Sequence, residues 1–236
     1  MRSALTAAIG LCLSSVCGAC PNEAEQDYLR HIVISKVTSK SVTADDLDYV
    51  YFLAVPGASN RCIVVLSLSN GFAHLDTATI SIFEIARGKN SWDFVFEQKD
   101  ALRGGSNGVG PRVTLVEIGK DSFALRFDGS AMFQGYSSSG VDFFVKLNGQ
   151  YQSVFSTVVD ENNSGSLNAE ADPAQEFDRS ADLALVEGPN PQFKDIQVSY
   201  IEKRGNASGK FTATRGKTVL FRFLNGKYMP VEGRAP

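Results

Sequence analysis

The chain has 236 residues, 43% hydrophobic and 21% charged, enough to bury a sizeable core in one or two domains. A formal net charge of -3 offers no clustered basic surplus for phosphate and argues against a nucleic-acid partner. Its 21 Gly and 16 Phe, against one Trp and three Met, suit turn-rich β structure better than a helical bundle.

The first nineteen residues read as an export signal. Arg2 gives a positive start, Ala4 to Val16 a short apolar run, and Cys17-Gly18-Ala19 small residues before a cut. The mature chain is therefore expected to begin at Cys20 and to be periplasmic or secreted. That apolar run is too short to span a bilayer, and no later stretch approaches eighteen apolar residues, so no transmembrane segment is expected. Cys12 and Cys17 leave with the leader, and an oxidising compartment would let Cys20 and Cys62 form a disulfide. The alternative is a lipid anchor on Cys20, giving an envelope-bound protein with Cys62 as a lone buried thiol. Cys17 stands three residues before Cys20, where a lipoprotein signal carries Leu or a similar aliphatic.

Next, Asn22 with Glu25 three residues on forms a capping-box pattern, predicting one helical turn within Pro21 to Arg30. Strands are predicted in HIVISKV (31–37), DYVYFLAV (48–55) and CIVVLSL (62–68), with turns between them. After Asn70-Gly71, ATISIFEIA and WDFVFEQ alternate apolar with polar about a turn at Arg87-Gly88-Lys89-Asn90. Residues 101–111, ALRGGSNGVGP, hold four Gly within seven positions and form the most flexible-looking loop. RVTLVEIG and SFALRFDG then flank Gly119-Lys120-Asp121, and AMFQGYSSSG leads into VDFFVKLNGQYQSVF (141–155).

That last stretch carries the strongest short-range signal. Asn-Gly accepts the positive φ angles of a two-residue hairpin turn, and apolar runs flank Asn148-Gly149. Asn70-Gly71 and Asn225-Gly226 repeat the device, at separations of 78 (148 minus 70) and 77 (225 minus 148). The expected fold is all-β: antiparallel sheets of consecutive hairpins, as a sandwich, a barrel-like or a propeller-like body of about three sheet units, with at most one or two short helices. Residues 20–236 read as a single domain, with sub-units near 28–80, 81–158 and 159–236. Residues 160–182 carry seven acids and one base and read as an acidic loop, with a helix start at Asp172-Pro173. The remainder returns to strands and is basic, so acid and base are able to pair within the fold.

Gly104-Gly105-Ser106-Asn107-Gly108 matches G-x-S-x-G formally, yet a strand rather than a helix follows, against a nucleophile at Ser106. The two histidines are His31 and His74, the latter beside Asp76. Zinc is poorly served by two Cys and two His without close spacing. Calcium is the one cofactor the sequence suggests: Asp160, Asn162 and Ser164 alternate oxygen donors and Gly165 is sixth, although Ala171 stands where a bidentate Glu is required. Asp45, Asp46 and Asp48 are the carboxylate cluster open to a glycosidase reading. As binding-loop candidates, Tyr136, Ser137, Ser138 and Ser139 are joined by Ser106 and Asn107. The expected function is an exported, non-enzymatic binding protein, an inhibitor- or immunity-type partner of another exported protein. The alternatives are an exported hydrolase using carboxylates or Ser106, and a calcium-stabilised surface module.

Overall fold

The computed structural model describes residues 20–38, 49–69, 77–106, 109–166, 175–205 and 211–231, with backbone alone for 211–215. The leader, Asp45, Asp46, Asp48, Asn70-Gly71, His74, Asp76, Asn107 and Asp172-Pro173 lie outside these residues.

The first element corrects the sequence reading. HIVISKV is the second half of a helix, α1 (Glu23–Val37), rather than a strand. Its start follows the predicted capping box: the Asn22 side chain accepts from Glu25 N at 3.0 Å, and Glu25 accepts from Asn22 N at 2.9 Å. Glu23 and Glu25 in the first turn and Lys36 in the last complement the helix dipole. Leu29, Val33 and Ile34 fall on one stripe and are buried against a sheet, so packing overrides the β preference of the Val-Ile run.

Four strands follow as a meander: β1 (Val50–Ala54), β2 (Arg61–Ser69), β3 (Ala78–Arg87) and β4 (Trp92–Gly104). Eight more form a second sheet in strict chain order: β5 (Arg112–Gly119), β6 (Ser122–Phe133), β7 (Tyr136–Leu147), β8 (Gln150–Asn162), β9 (Phe177–Val186), β10 (Asp195–Gly205), β11 (Phe211–Leu224) and β12 (Lys227–Pro230). A single 3-10 turn, Ser164–Ser166, follows β8. All pairings among these strands are antiparallel. The expected all-β hairpin architecture is therefore present.

The acidic segment is not one loop. Residues 160–162 end β8 and residues 177–182 begin β9. Two of its strand acids pair across the sheet, Glu161 with Arg179 at 2.8 Å and Asp178 with Lys203 at 3.3 Å, while Asp160 and Asp182 are exposed.

Asn148 and Gly149 take φ of 51° and 82°, Asn225 and Gly226 φ of 53° and 85°. Both corners join the third strand of a four-strand meander to the fourth, which accounts for their 77-residue spacing (225 minus 148). Asn70 comes after β2, a second strand, so its spacing from Asn148 does not mark an equivalent corner. The proposed sub-unit limits at 80 and 158 fall inside β3 and β8.

The layers follow from which residues share a core. In β2, Cys62, Val64 and Leu66 face α1, while Ile63 and Val65 face the other way, toward Val113, Leu125, Phe127, Phe144 and Tyr151 of β5 to β8. The opposite side of β5 to β8, through Ile118, Ala124, Val141, Phe143 and Val145, packs on Ile196, Val198 and Tyr228 of the last meander. The order is thus helix, β1 to β4, β5 to β8, β9 to β12. β2, buried on both faces, reads as a continuous apolar run for that reason. Among the described residues the strand pairing between the last two meanders is a short seam, Asp160↔Ser180, Glu161↔Arg179 and Asn162↔Asp178. Past it the two halves close on one another.

Cys20 and Cys62 form a disulfide, with Cα atoms 5.1 Å apart, tying the start of α1 to β2. That is the form paired thiols take in an oxidising compartment. The Cys20 sulfur is thereby committed to Cys62 and is not free to carry a thioether-linked lipid. Among the described residues no helix is long and apolar enough to cross a membrane.

Candidate functional site

An open cleft of about 670 Å³ lies at the β6–β7 end of the second sheet, lined by Ser106, Ser130, Met132, Phe133, Ser137, Ser138, Ser139 and Asp160 among others. Two structural units build it. β6 and β7 turn about Gln134 and Gly135, with φ of 48° and 79°, the pair of left-handed residues that a two-residue hairpin demands. The tip is held from behind by the 3-10 turn. A Cβ on Gly135 would collide with the Gly165 carbonyl, so two glycines permit that backbone approach.

The second unit is the Gly-rich loop after β4. Ser106 and Val109 exchange both backbone hydrogen bonds, Ser106 N to Val109 O at 3.1 Å and Val109 N to Ser106 O at 2.9 Å. Gly105 makes this possible with φ of 80°. Gly129 of β6 lies beside the loop, where even a Cβ would stand at ordinary contact distance, 3.7 Å from Pro111 Cβ and 3.8 Å from Gly105 N. Ser106 is therefore presented at a tight turn that runs into β5, without the strand-to-helix geometry of a nucleophile elbow.

Of the sequence candidates, Ser106, Ser137, Ser138 and Ser139 meet at this cleft, and Asp160, singled out as a metal ligand, joins them. Tyr136 sits beside it with a structural role. Its hydroxyl donates to Glu161 Oε1, and its ring stands 6.5 Å from Phe177, edge to face. Glu161 also accepts from Arg179, which bonds Glu202 at 2.7 Å, which in turn accepts from Arg204. This ladder crosses the seam next to the cleft. The Arg204 and Arg179 hydrogen bonds hold the Glu202 carboxyl below the usual carboxylate range, and Glu161 and Glu202 together push the Arg179 guanidinium up.

Of the three calcium candidates, two lie in a strand and the third in the 3-10 turn after it. Asp160 and Asn162 lie in β8, and the Asn162 side-chain oxygen accepts from Ser164 N at 2.9 Å and Ser164 Oγ at 2.7 Å, a local turn. Among the described residues no three His, Cys, Asp or Glu side chains group as metal ligands would. His31 is exposed on α1, on the far side of the first sheet from β5 to β8. It is thus separated from Ser106 by that sheet.

Sequence reading missed Ser130, Met132 and Phe133. AMFQG reads as part of a strand-rich run, and nothing marks Met and Phe as outward-facing. The signal available was Gly135, a residue suited to positive φ; Gln134 before it takes φ of 48° without such a preference. Met132 and Phe133 are 63% and 51% exposed, two adjacent apolar side chains at the rim of the cleft.

Fold and site together define a layered antiparallel β protein that presents hydroxyls, one carboxylate and an apolar tip around an open cleft. Comparison with protein-family models, with curated proteins and with solved structures finds no match.

Proposed function

We propose that the protein is an exported, non-enzymatic binding protein that engages another exported protein through the β6–β7 cleft, as an inhibitor- or immunity-type partner would. The observation that carries this reading is the uncommitted chemistry of the cleft. Among the described residues the hydroxyls of Ser106, Ser130, Ser137, Ser138 and Ser139 and the Asp160 carboxylate make no internal side-chain hydrogen bond or ion pair. Polar groups set on rigid strands, next to exposed Met132 and Phe133, are what an interface needs: adaptable hydrogen bonding around an apolar anchor. The disulfide is in keeping with export.

A photo-crosslinking amino acid placed at Met132 tests the reading in envelope extract of the producing cell. A discrete protein adduct is expected from position 132, lost when Ser139→Trp fills the cleft, and absent when the crosslinker replaces Tyr28, exposed on α1. An adduct indifferent to Ser139→Trp, or equal from both positions, overturns it.

A further inference from the structure

Asp160 stands apart from the other charges around it. The cations of the adjoining strands are already committed: Arg179 to Glu161 at 2.8 Å and to Glu202 at 2.7 Å, Lys203 to Asp178 at 3.3 Å. Asp160 is exposed and has no such partner among the described residues. By register it lies directly opposite Ser139 on one side and Ser180 on the other, and Ser139 lies opposite Ser130. A row of serine oxygens is therefore interrupted by one unneutralised carboxylate.

Asp160 also borders a second, smaller hollow of about 80 Å³, where β8 and β9 part, lined by Val158, Val159, Ser180 and Tyr200 together with the mutually paired Glu161 and Arg179. Its small size and the Val158, Val159 and Tyr200 surfaces suit a small aliphatic group. On the other flank Met132 and Phe133 offer apolar surface on which the methylenes of a long basic side chain can lie, and a ring face for its cation.

We propose that the cleft receives an Arg or Lys side chain from an extended segment of the partner protein, its cation on Asp160 and the serine hydroxyls, and that a small aliphatic neighbour of that residue fills the hollow. This specifies the chemistry of the partner and rests on the binding reading above. A carboxylate flanked by hydroxyls supplies the several acceptors that a guanidinium or ammonium group needs, and charge-assisted hydrogen bonds are the stronger kind. Glu161, one residue away, is unavailable for this because Tyr136 and Arg179 occupy its oxygens.

The test titrates the full protein, labelled with nitrogen-15, with the peptide acetyl-Gly-Arg-Val-Gly-amide and with its citrulline counterpart, which keeps the shape and loses the charge. Saturable shifts at Ser137, Ser138, Ser139 and Asp160 are expected for the Arg peptide, with binding at least fivefold weaker for the citrulline peptide and for Asp160→Asn. Asp182→Asn, an exposed carboxylate outside the cleft, should bind as the parent does. Equal binding of the two peptides, undiminished binding by Asp160→Asn, or no saturable shifts at the cleft each overturns the proposal. Crosslinking from position 132 that survives such a result would sink the basic-side-chain assignment alone and leave the cleft as the interface.

Discussion

Two glycines of this chain separate backbone strain from steric collision. Gly149 takes φ of 82° with no atom within 4 Å of a built Cβ, so Gly149→Ala bears only the cost of a left-handed residue. A loss of about 1 kcal/mol is expected in urea denaturation. Gly135 has the same φ class but faces the Gly165 carbonyl, so Gly135→Ala must also displace the 3-10 turn. Roughly 3 kcal/mol is expected there, with altered amide shifts around the cleft. Equal losses for the two variants would show that the Gly135 contact is not as close as described. The Asn148 and Asn225 corners were legible in the sequence because an Asn-Gly pair carries its conformational requirement in two adjacent residues. The Gly135 contact was not, since it depends on Gly165, thirty positions away.

At the scale of elements, the seam and the helix respond to acid. Glu202 is held below the ordinary glutamate value near 4.5 by its hydrogen bonds from Arg204 and Arg179. Glu25 is held below it by the Asn22 backbone N–H, with Trp92 and Arg87 adding to the effect. A carboxyl with a depressed folded-state pKa contributes stability above its unfolded value, and that contribution disappears as pH falls through the folded value. Denaturation midpoints should therefore fall between pH 5 and pH 3, and a Glu25→Gln, Glu202→Gln double variant should show a shallower fall over that window. An unchanged slope would dismiss both carboxyls as contributors. The same two elements show where sequence patterns stop. The capping box announced the start of α1, but its C-terminal half, HIVISKV, is β-branched and takes helical form only because Val33 and Ile34 are buried on the first sheet. In β9, FDRSADLALV, acids obscure an alternation that Leu183 and Leu185 complete.

Across the whole molecule, distant segments are held by three kinds of tie. The disulfide closes a stretch with sequence separation 42, for which chain entropy alone gives about 4 kcal/mol. Cys20→Ser with Cys62→Ser should lower the unfolding free energy by about that amount, and reductant should reproduce the effect in the parent. A drop below about 1 kcal/mol would show that α1 is held by packing alone. Between the first and second meanders, Glu84 accepts from Lys146 at 2.8 Å and from the Tyr151 hydroxyl at 3.0 Å, and Gln98 bonds both backbone groups of Tyr151. Burial first, and the Glu84 charge second, push the Tyr151 phenol up, so it stays protonated through the ordinary pH range. Between the second and third meanders, Phe155 stands 5.2 Å from Phe221 and 6.0 Å from Tyr228. Phe155→Ala should cost about 3 to 5 kcal/mol by leaving a cavity there, measured as loss of urea stability. A smaller loss would place the last meander as a loosely attached layer. Of these ties only the Cys20–Cys62 disulfide was legible in the sequence, from the cysteine count; the hydrogen bonds around Tyr151 and the Phe155 contacts were not, because each joins residues more than fifty positions apart, and stacking against propeller-like arrangement turns on them.

The strictly consecutive strand order has a kinetic corollary. Every ladder is laid down between segments adjacent along the polypeptide, so no strand must wait for a remote one to be synthesised before its hydrogen bonds can close. Folding should accordingly advance hairpin by hairpin, with the face-to-face stacking of the three meanders coming last.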